Sequence, residues 1–139
     1  MTKREKKTWL VFTGSELPGE AAEAVQLISP DRQVSLTSTD CWDSLTSELQ
    51  SGPPHVVVAA GGDGTVQGVV RALGPGSETI VGILPLGTGN DFARALDLPL
   101  DPLAAAEVVA EGAFVPVDLL GVIFDAEPET LAVNAMTLG

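Results

Sequence analysis

The sequence predicts an α/β fold: an open, doubly wound, mostly parallel sheet with helices on both faces. Three observations point there. Short apolar runs alternate with segments of helical periodicity in the order β-α-β-α-β-α-β. The clearest run, HVVVAA at 55–60, is β-branched and continuously apolar, as a strand covered on both faces should be. The 15 glycines and 10 prolines punctuate these runs rather than forming low-complexity tracts.

Taken in order, Trp9, Leu10, Val11 and Phe12 form a first strand, stopped by Thr13, Gly14 and Ser15. After Pro18 and Gly19, the spacing of Ala21, Ala22, Ala24, Val25, Leu27 and Ile28 predicts a helix that ends before Pro30. Residues 33–37 read as a second strand and 43–50 as a helix closed by Ser51, Gly52, Pro53 and Pro54. The 55–60 strand belongs at the centre of the sheet and runs directly into Gly61, Gly62, Asp63 and Gly64. Helical spacing resumes over 65–73 through Val66, Val69, Val70 and Leu73. A strand over 80–84 ends at Pro85, short helices follow over 90–96 and 102–111, and 115–124 and 130–136 finish the chain as strands. There is no internal repeat. Residues 1–8 read as a basic flexible tail and 9–139 as one domain.

At 139 residues, 45% of them apolar, the chain has the size and material of a single core. Its formal net charge is −12, and four of its seven basic residues, Lys3, Arg4, Lys6 and Lys7, precede Thr8. The rest of the chain has only Arg32, Arg71 and Arg94. A surface of that sign repels nucleic acid and anionic headgroups, which argues against a nucleic-acid partner and leaves at most peripheral membrane contact. Cys41 is a lone cysteine, so neither an internal disulfide nor a thiolate metal cage is expected. No apolar stretch approaches the roughly 20 residues of a membrane span and the N-terminus lacks an apolar signal segment, so a cytoplasmic setting is expected.

Two segments carry the chemistry. In GGDGT (61–65), Gly61, Gly62 and Gly64 allow close backbone approach and can turn successive N–H groups into one concavity, a nest suited to phosphate oxygens. The helix that follows adds its partial positive charge. Thr65 can cap that helix or donate to a phosphate. With so few basic residues, a phosphate site here has to rely on backbone donors, hydroxyls and a bound cation. The plainer reading is a strand-to-helix turn in which Asp63 caps the following helix. Neither GxxxxGK[ST] nor GxGxxG is present. The second segment, PLGTGNDFAR (85–94), brings Gly87, Thr88, Gly89, Asn90 and Asp91 to the same sheet edge after the next strand, with Asn90 or Asp91 able to cap the helix that begins there.

GGDGTVQGVV followed by GILPLGTGNDFARALDLP closely resembles the catalytic domain of diacylglycerol kinases and related bacterial lipid kinases. GGDGT alone is shared with sphingosine, ceramide and NAD kinases; the GTGNDFAR segment narrows the choice. The likeness continues more weakly through Val117, Asp118, Leu119, Val133 and Asn134. The resemblance implies a Rossmann-like nucleotide-binding domain and transfer of the γ-phosphoryl group of ATP to a lipid hydroxyl with Mg2+. It assigns ATP contact to Gly61, Gly62, Asp63, Gly64 and Thr65, with Val66 and Gln67 at the margin, and to Thr88 and Gly89. Asn90 and Asp91 are expected to shape the loop and cleft, and Asp63 to act on phosphate or metal geometry. It also implies a threonine after the second strand, for which Thr37 and Thr39 both qualify.

Thr13, Gly14, Ser15 and Glu16 stand where the family usually has an Asn-Pro-x-Ser-Gly-like turn. The family's β-rich second domain, with its proposed base, metal-binding carboxylates and lipid cleft, is expected beyond this chain, leaving Asp63 the sole catalytic candidate within it. The alternatives are an NAD-kinase-like phosphotransferase, against which GTGNDFAR argues, and a non-catalytic nucleotide-binding module. His55 is expected in an exposed loop, Cys41 and Trp42 at a helix start, Asp118 as a site-lining or structural acceptor, and Asp125, Glu127 and Glu129 in a solvated turn.

Overall fold

The computed structural model describes residues 8–12, 19–28, 34–38, 42–52, 54–74, 77–111, 116, 120–122 and 130–132. Its elements are β1 (Thr8–Phe12), α1 (Gly19–Ile28), β2 (Val34–Ser38), α2 (Trp42–Ser51), β3 (Val56–Gly61), α3 (Asp63–Leu73), β4 (Ile80–Pro85), α4 (Asp91–Ala95), α5 (Pro102–Glu111), β5 (Leu120–Val122) and β6 (Thr130–Ala132). β1 begins at Thr8, inside the stretch read from sequence as tail.

The first four strands form one parallel sheet in the order β2-β1-β3-β4. β3 lies between β1 and β4, at the position its unbroken apolar run required. Its side chains alternate between two cores, because successive Cβ atoms of a strand point to opposite faces. Val56, Val58 and Ala60 pack with Leu10, Ala24, Ile28, Leu84, Ala105 and Ala106, which puts α1 and α5 on one face. Val57 and Ala59 pack with Val11, Leu45, Leu49, Val66, Val69 and Ala93, which puts α2, α3 and α4 on the other. Both Val57 and Val58 are 0% exposed, so each contributes about 1.5–3 kcal/mol of burial and neither face tolerates a polar residue.

This layering follows from crossover handedness. The step from β1 to β2 runs one way across the sheet, whereas β2 to β3 and β3 to β4 run the other way, so right-handed crossovers put α1 opposite α2 and α3. The reversal lies between β1 and β3, and the crevice at the carboxyl ends of such strands is where open α/β sheets bind ligands. Close packing keeps the layers thin. A Cβ on Gly68 of α3 would collide with the Trp42 ring at the start of α2, and one on Gly82 of β4 would come within 2.9 Å of Val109 of α5.

The last two strands do not extend the parallel sheet. β5 and β6 pair antiparallel with each other, and β6 lies against α3. Among the described residues no helix is long and apolar enough to cross a membrane.

Candidate functional site

Both glycine loops emerge at the carboxyl edge of adjacent strands. Gly61 is in register with Pro85 at the end of the β3–β4 ladder, and Leu86 N–H donates to Gly61 O at 3.1 Å. The backbones then come together. A Cβ on Gly87 would collide with Gly62 Cα, and one on Gly62 would sit 3.1 Å from Gly87 Cα. Only residues without side chains allow this approach.

α3 starts two residues before the expected Thr65. Gly62 O accepts from Thr65 N–H at 3.1 Å and Val66 N–H at 3.2 Å, so Gly62 is the N-cap and Asp63 and Gly64 form the first turn. Thr65 is therefore not the cap. It is 6% exposed and lies beneath Gly61, where an added Cβ would be 2.8 Å from Thr65 Cβ. Gly62 makes no side-chain cap, so the N–H groups of Asp63 and Gly64, which a helix leaves without internal acceptors, meet no capping group among the described residues. Gly64 is exposed, and a Cβ there would meet nothing within 4 Å. Val66 lies in the α2–α3 core at 2% exposure, so its side chain is a packing group, and Gln67 is half-buried one position beyond.

α4 has only five residues, too few to hold a helix by propensity, and is secured at both ends. Asp63, in the first turn of α3, reaches across to it. Its Oδ2 accepts from Asp91 N–H at 3.0 Å and its Oδ1 from Phe92 N–H at 2.9 Å. These are charge-assisted bonds at a helix N-terminus, where a negative charge is favoured. At the other end Leu98 N–H donates to Ala93 O at 2.9 Å and Asp97 N–H to Arg94 O at 3.1 Å, with Asp97 at φ 54°, a Schellman closure. Ala93 anchors the middle at 2% exposure.

The loop before α4 closes on itself. Asn90 has φ 53°, the left-handed conformation that asparagine tolerates, which ends the expected 90–96 helix at 91–95. Its side chain makes no cap to α4. Instead Asn90 Oδ1 accepts from Gly87 N–H at 3.1 Å and Nδ2 donates to Gly87 O at 2.8 Å. Arg94 turns back, its Nε donating to Gly89 O at 2.9 Å. Thr88 and Gly89 stand exposed at the tip, and a Cβ on Gly89 would be 3.5 Å from Asp63 Oδ2 and 3.6 Å from Asp91 Oδ1. Among the described residues no three His, Cys, Asp or Glu side chains gather as a metal cage.

The two motifs are thus one assembly around Gly62, Asp63, Gly87, Thr88, Gly89, Asn90 and Asp91. Thr37 belongs to β2, in register with Val11 and so level with Ala59, near the same carboxyl edge but two strands from the loops. Thr39, Cys41, Asp118, Asp125, Glu127, Glu129 and the turn at 13–16 lie outside the described residues. His55 is an exposed loop residue, its O accepting from Ile80 N–H at 3.1 Å, and Trp42 opens α2. The sequence placed Gly87 in the second loop but did not show its contact with Gly62, and it assigned no role to Phe92 or Arg94. Paired glycines ending adjacent strands were the available signal for Gly87; nothing local marks the Phe92 amide as the partner of Asp63.

Residues 13–122 match the diacylglycerol kinase catalytic domain. "Probable lipid kinase YegS-like" of Xanthomonas campestris pv. campestris (strain 8004) is 46% identical over 133 residues, covering 88% of this chain and 43% of the relative. "Diacylglycerol kinase" of Bacillus subtilis (strain 168) is 47% identical over 66 residues, covering 46% of this chain and 22% of the relative. The crystal structure of a diacylglycerol kinase from Bacillus anthracis str. Sterne shares the fold with a TM-score of 0.66 at 24% identity, over 86% of this chain and 43% of that one. The chain spans less than half the length of these proteins. Its match to the domain, which runs through both glycine loops, makes it a member of the diacylglycerol kinase catalytic domain family.

Proposed function

We propose that this chain is the nucleotide-binding part of an ATP-dependent lipid kinase, which transfers the γ-phosphoryl group of ATP to the hydroxyl of a diacylglycerol-like lipid. The observation that carries the reading is the start of α3 within GGDGT, uncapped among the described residues: the N–H groups of Asp63 and Gly64, with open space at Gly64, at the carboxyl edge of β3. Backbone donors and the helix dipole there can hold phosphate oxygens in a chain poor in basic side chains. The exposed Thr88 hydroxyl on the adjoining loop supplies a further donor at the nucleotide. Thr37, in β2, or Thr39 is the further contact that the family resemblance implies.

Mg2+ is the expected companion of ATP. It binds through phosphates, water and one or two carboxylates rather than through an all-protein cage, and Asp91, beside Gly89, is a carboxylate within reach of that role. When bound it would neutralise phosphate charge during transfer. The contribution of this chain is positioning: it holds the phosphates while the attacking hydroxyl is oriented by groups outside it. Turnover by the 139 residues alone is accordingly expected to be poor.

Calorimetric titration with ATP and Mg2+, beside a diacylglycerol phosphorylation assay, tests both parts. The unaltered chain should bind ATP and Gly62→Val should abolish binding, since any side chain at Gly62 meets the Gly87 backbone. No binding by either protein would sink the nucleotide reading. Full lipid phosphorylation by the 139-residue chain would instead show that it needs no second domain.

A further inference from the structure

We propose that Asp63 is a positioning residue, which sets the loop bearing Thr88 by holding the start of α4, rather than a group that contacts phosphate or metal itself. Its effect on ATP rests on the nucleotide reading above, whereas its hold on α4 stands on geometry alone. Asp63 belongs to α3 by sequence, yet both carboxylate oxygens accept N–H groups from the next loop, 28 and 29 residues away. With one N–H of α4 on each oxygen, the carboxylate keeps only its remaining lone pairs for any other partner. Turned toward α4, the carboxylate spends its charge on a helix N-terminus, where it is favoured.

What Asp63 fixes is a short span with few other supports. α4 is five residues long, and between its first N–H and Gly87 lie only Thr88, Gly89 and Asn90. Asn90 secures one end of that span by its two bonds to Gly87, and Asp63 secures the other. Thr88 and Gly89, exposed between them, take their position from both. Asp63 and Asn90 consequently act on one object, and loss of either releases the same loop.

That shared action gives a readout that direct phosphate contact would not. In the 139-residue chain, amide hydrogen exchange by NMR and ATP–Mg2+ affinity are measured for Asp63→Ala, Asn90→Gly and the double variant. Asp63→Ala should speed exchange at Asp91 and Phe92 by about tenfold or more while β3 amides keep their protection. Each single change should weaken ATP binding by roughly tenfold, and the double variant should be little worse than the weaker single one, because the two changes share one loop. Unchanged exchange at Asp91 and Phe92, or affinity losses that multiply, would overturn the proposal. Should Asp63→Ala not fold, Asp63→Asn decides: with one acceptor kept, exchange should rise at one of the two amides, and protection of both would count against the role. An unaltered chain that fails to bind ATP would overturn the nucleotide reading and the ATP half of this proposal, while the exchange data still decide whether Asp63 holds α4.

Discussion

Helices α3 and α4 both begin in a glycine loop at the carboxyl edge of neighbouring parallel strands, yet among the described residues only α4, of the two, has its first N–H groups taken by a side chain. The carboxylate that fills them comes from the first turn of α3. One loop thus uses its acidic residue to close the other and keeps its own N–H row uncapped among the described residues. Similar sequences, glycines flanking a hydroxyl and a carboxylate, serve opposite ends: the 61–65 loop presents backbone donors, and the 87–90 loop is a clasp in which Gly87 N–H and Asn90 Nδ2 are engaged within the loop. The helix dipole does not distinguish the two, because each helix has the same partial charge at its start.

The sharpest way to break this division is at the point where the loops touch. Gly87→Ala places a methyl group against Gly62 Cα, backbone against backbone, where no rotamer change relieves the collision. A cost on the order of 2–4 kcal/mol is expected, read as a lower urea midpoint, together with loss of ATP binding. A fully stable Gly87→Ala protein would mean that the two loops can part without consequence.

Asp63→Ala should have the next largest effect. Two charge-assisted bonds are lost at a half-buried site, so about 1–2 kcal/mol is expected after allowance for solvent, with the sheet intact. Circular dichroism and urea titration would show a folded, less stable protein. A change within experimental error would mean that α4 is held by Ala93 and its Schellman closure alone.

The fold was largely legible because its signals are local. The unbroken run at 55–60 marked a central strand, and helical spacing with proline and glycine stops marked α1, α2, α3 and α5. What escaped was non-local. The start of α3 moved to Asp63 because Gly62 O captures two N–H groups, and β5 and β6 paired with each other, which an apolar run cannot announce. The residue types at the site were equally legible, since glycine, threonine, asparagine and aspartate mark loops that approach a ligand closely. Their division of labour was not. Asp63 reads as the cap of its own helix, the usual role of an acid in that place, and its partners lie 28 and 29 residues on. Nor can a strand signal choose between Thr37 and Thr39, since strand ends are uncertain by a residue or two.

Asn90 offers a finer separation. Asn90→Gly keeps the left-handed backbone and removes the two bonds to Gly87, while Asn90→Ala removes the bonds and adds strain at φ 53°. Denaturation should place glycine about 1 kcal/mol below the parent and alanine about 1 kcal/mol lower again. Equal losses would assign the whole effect to hydrogen bonding.

The smallest expected effect on stability is also the one that tests the donor loop without touching the clasp. Gly64 is helical, exposed and surrounded by open space, so Gly64→Ala should leave the fold unchanged or stabilise it by up to about 1 kcal/mol, as alanine does in place of a helical glycine. If the uncapped start of α3 receives phosphate, the added methyl group stands at the approach to those N–H groups, and ATP affinity should fall at least several-fold. A Gly64→Ala protein at least as stable as its parent but weak in ATP binding would separate presentation from scaffolding at a single residue. One with unaltered affinity would move the phosphates away from α3 and leave GGDGT as the second half of the clasp.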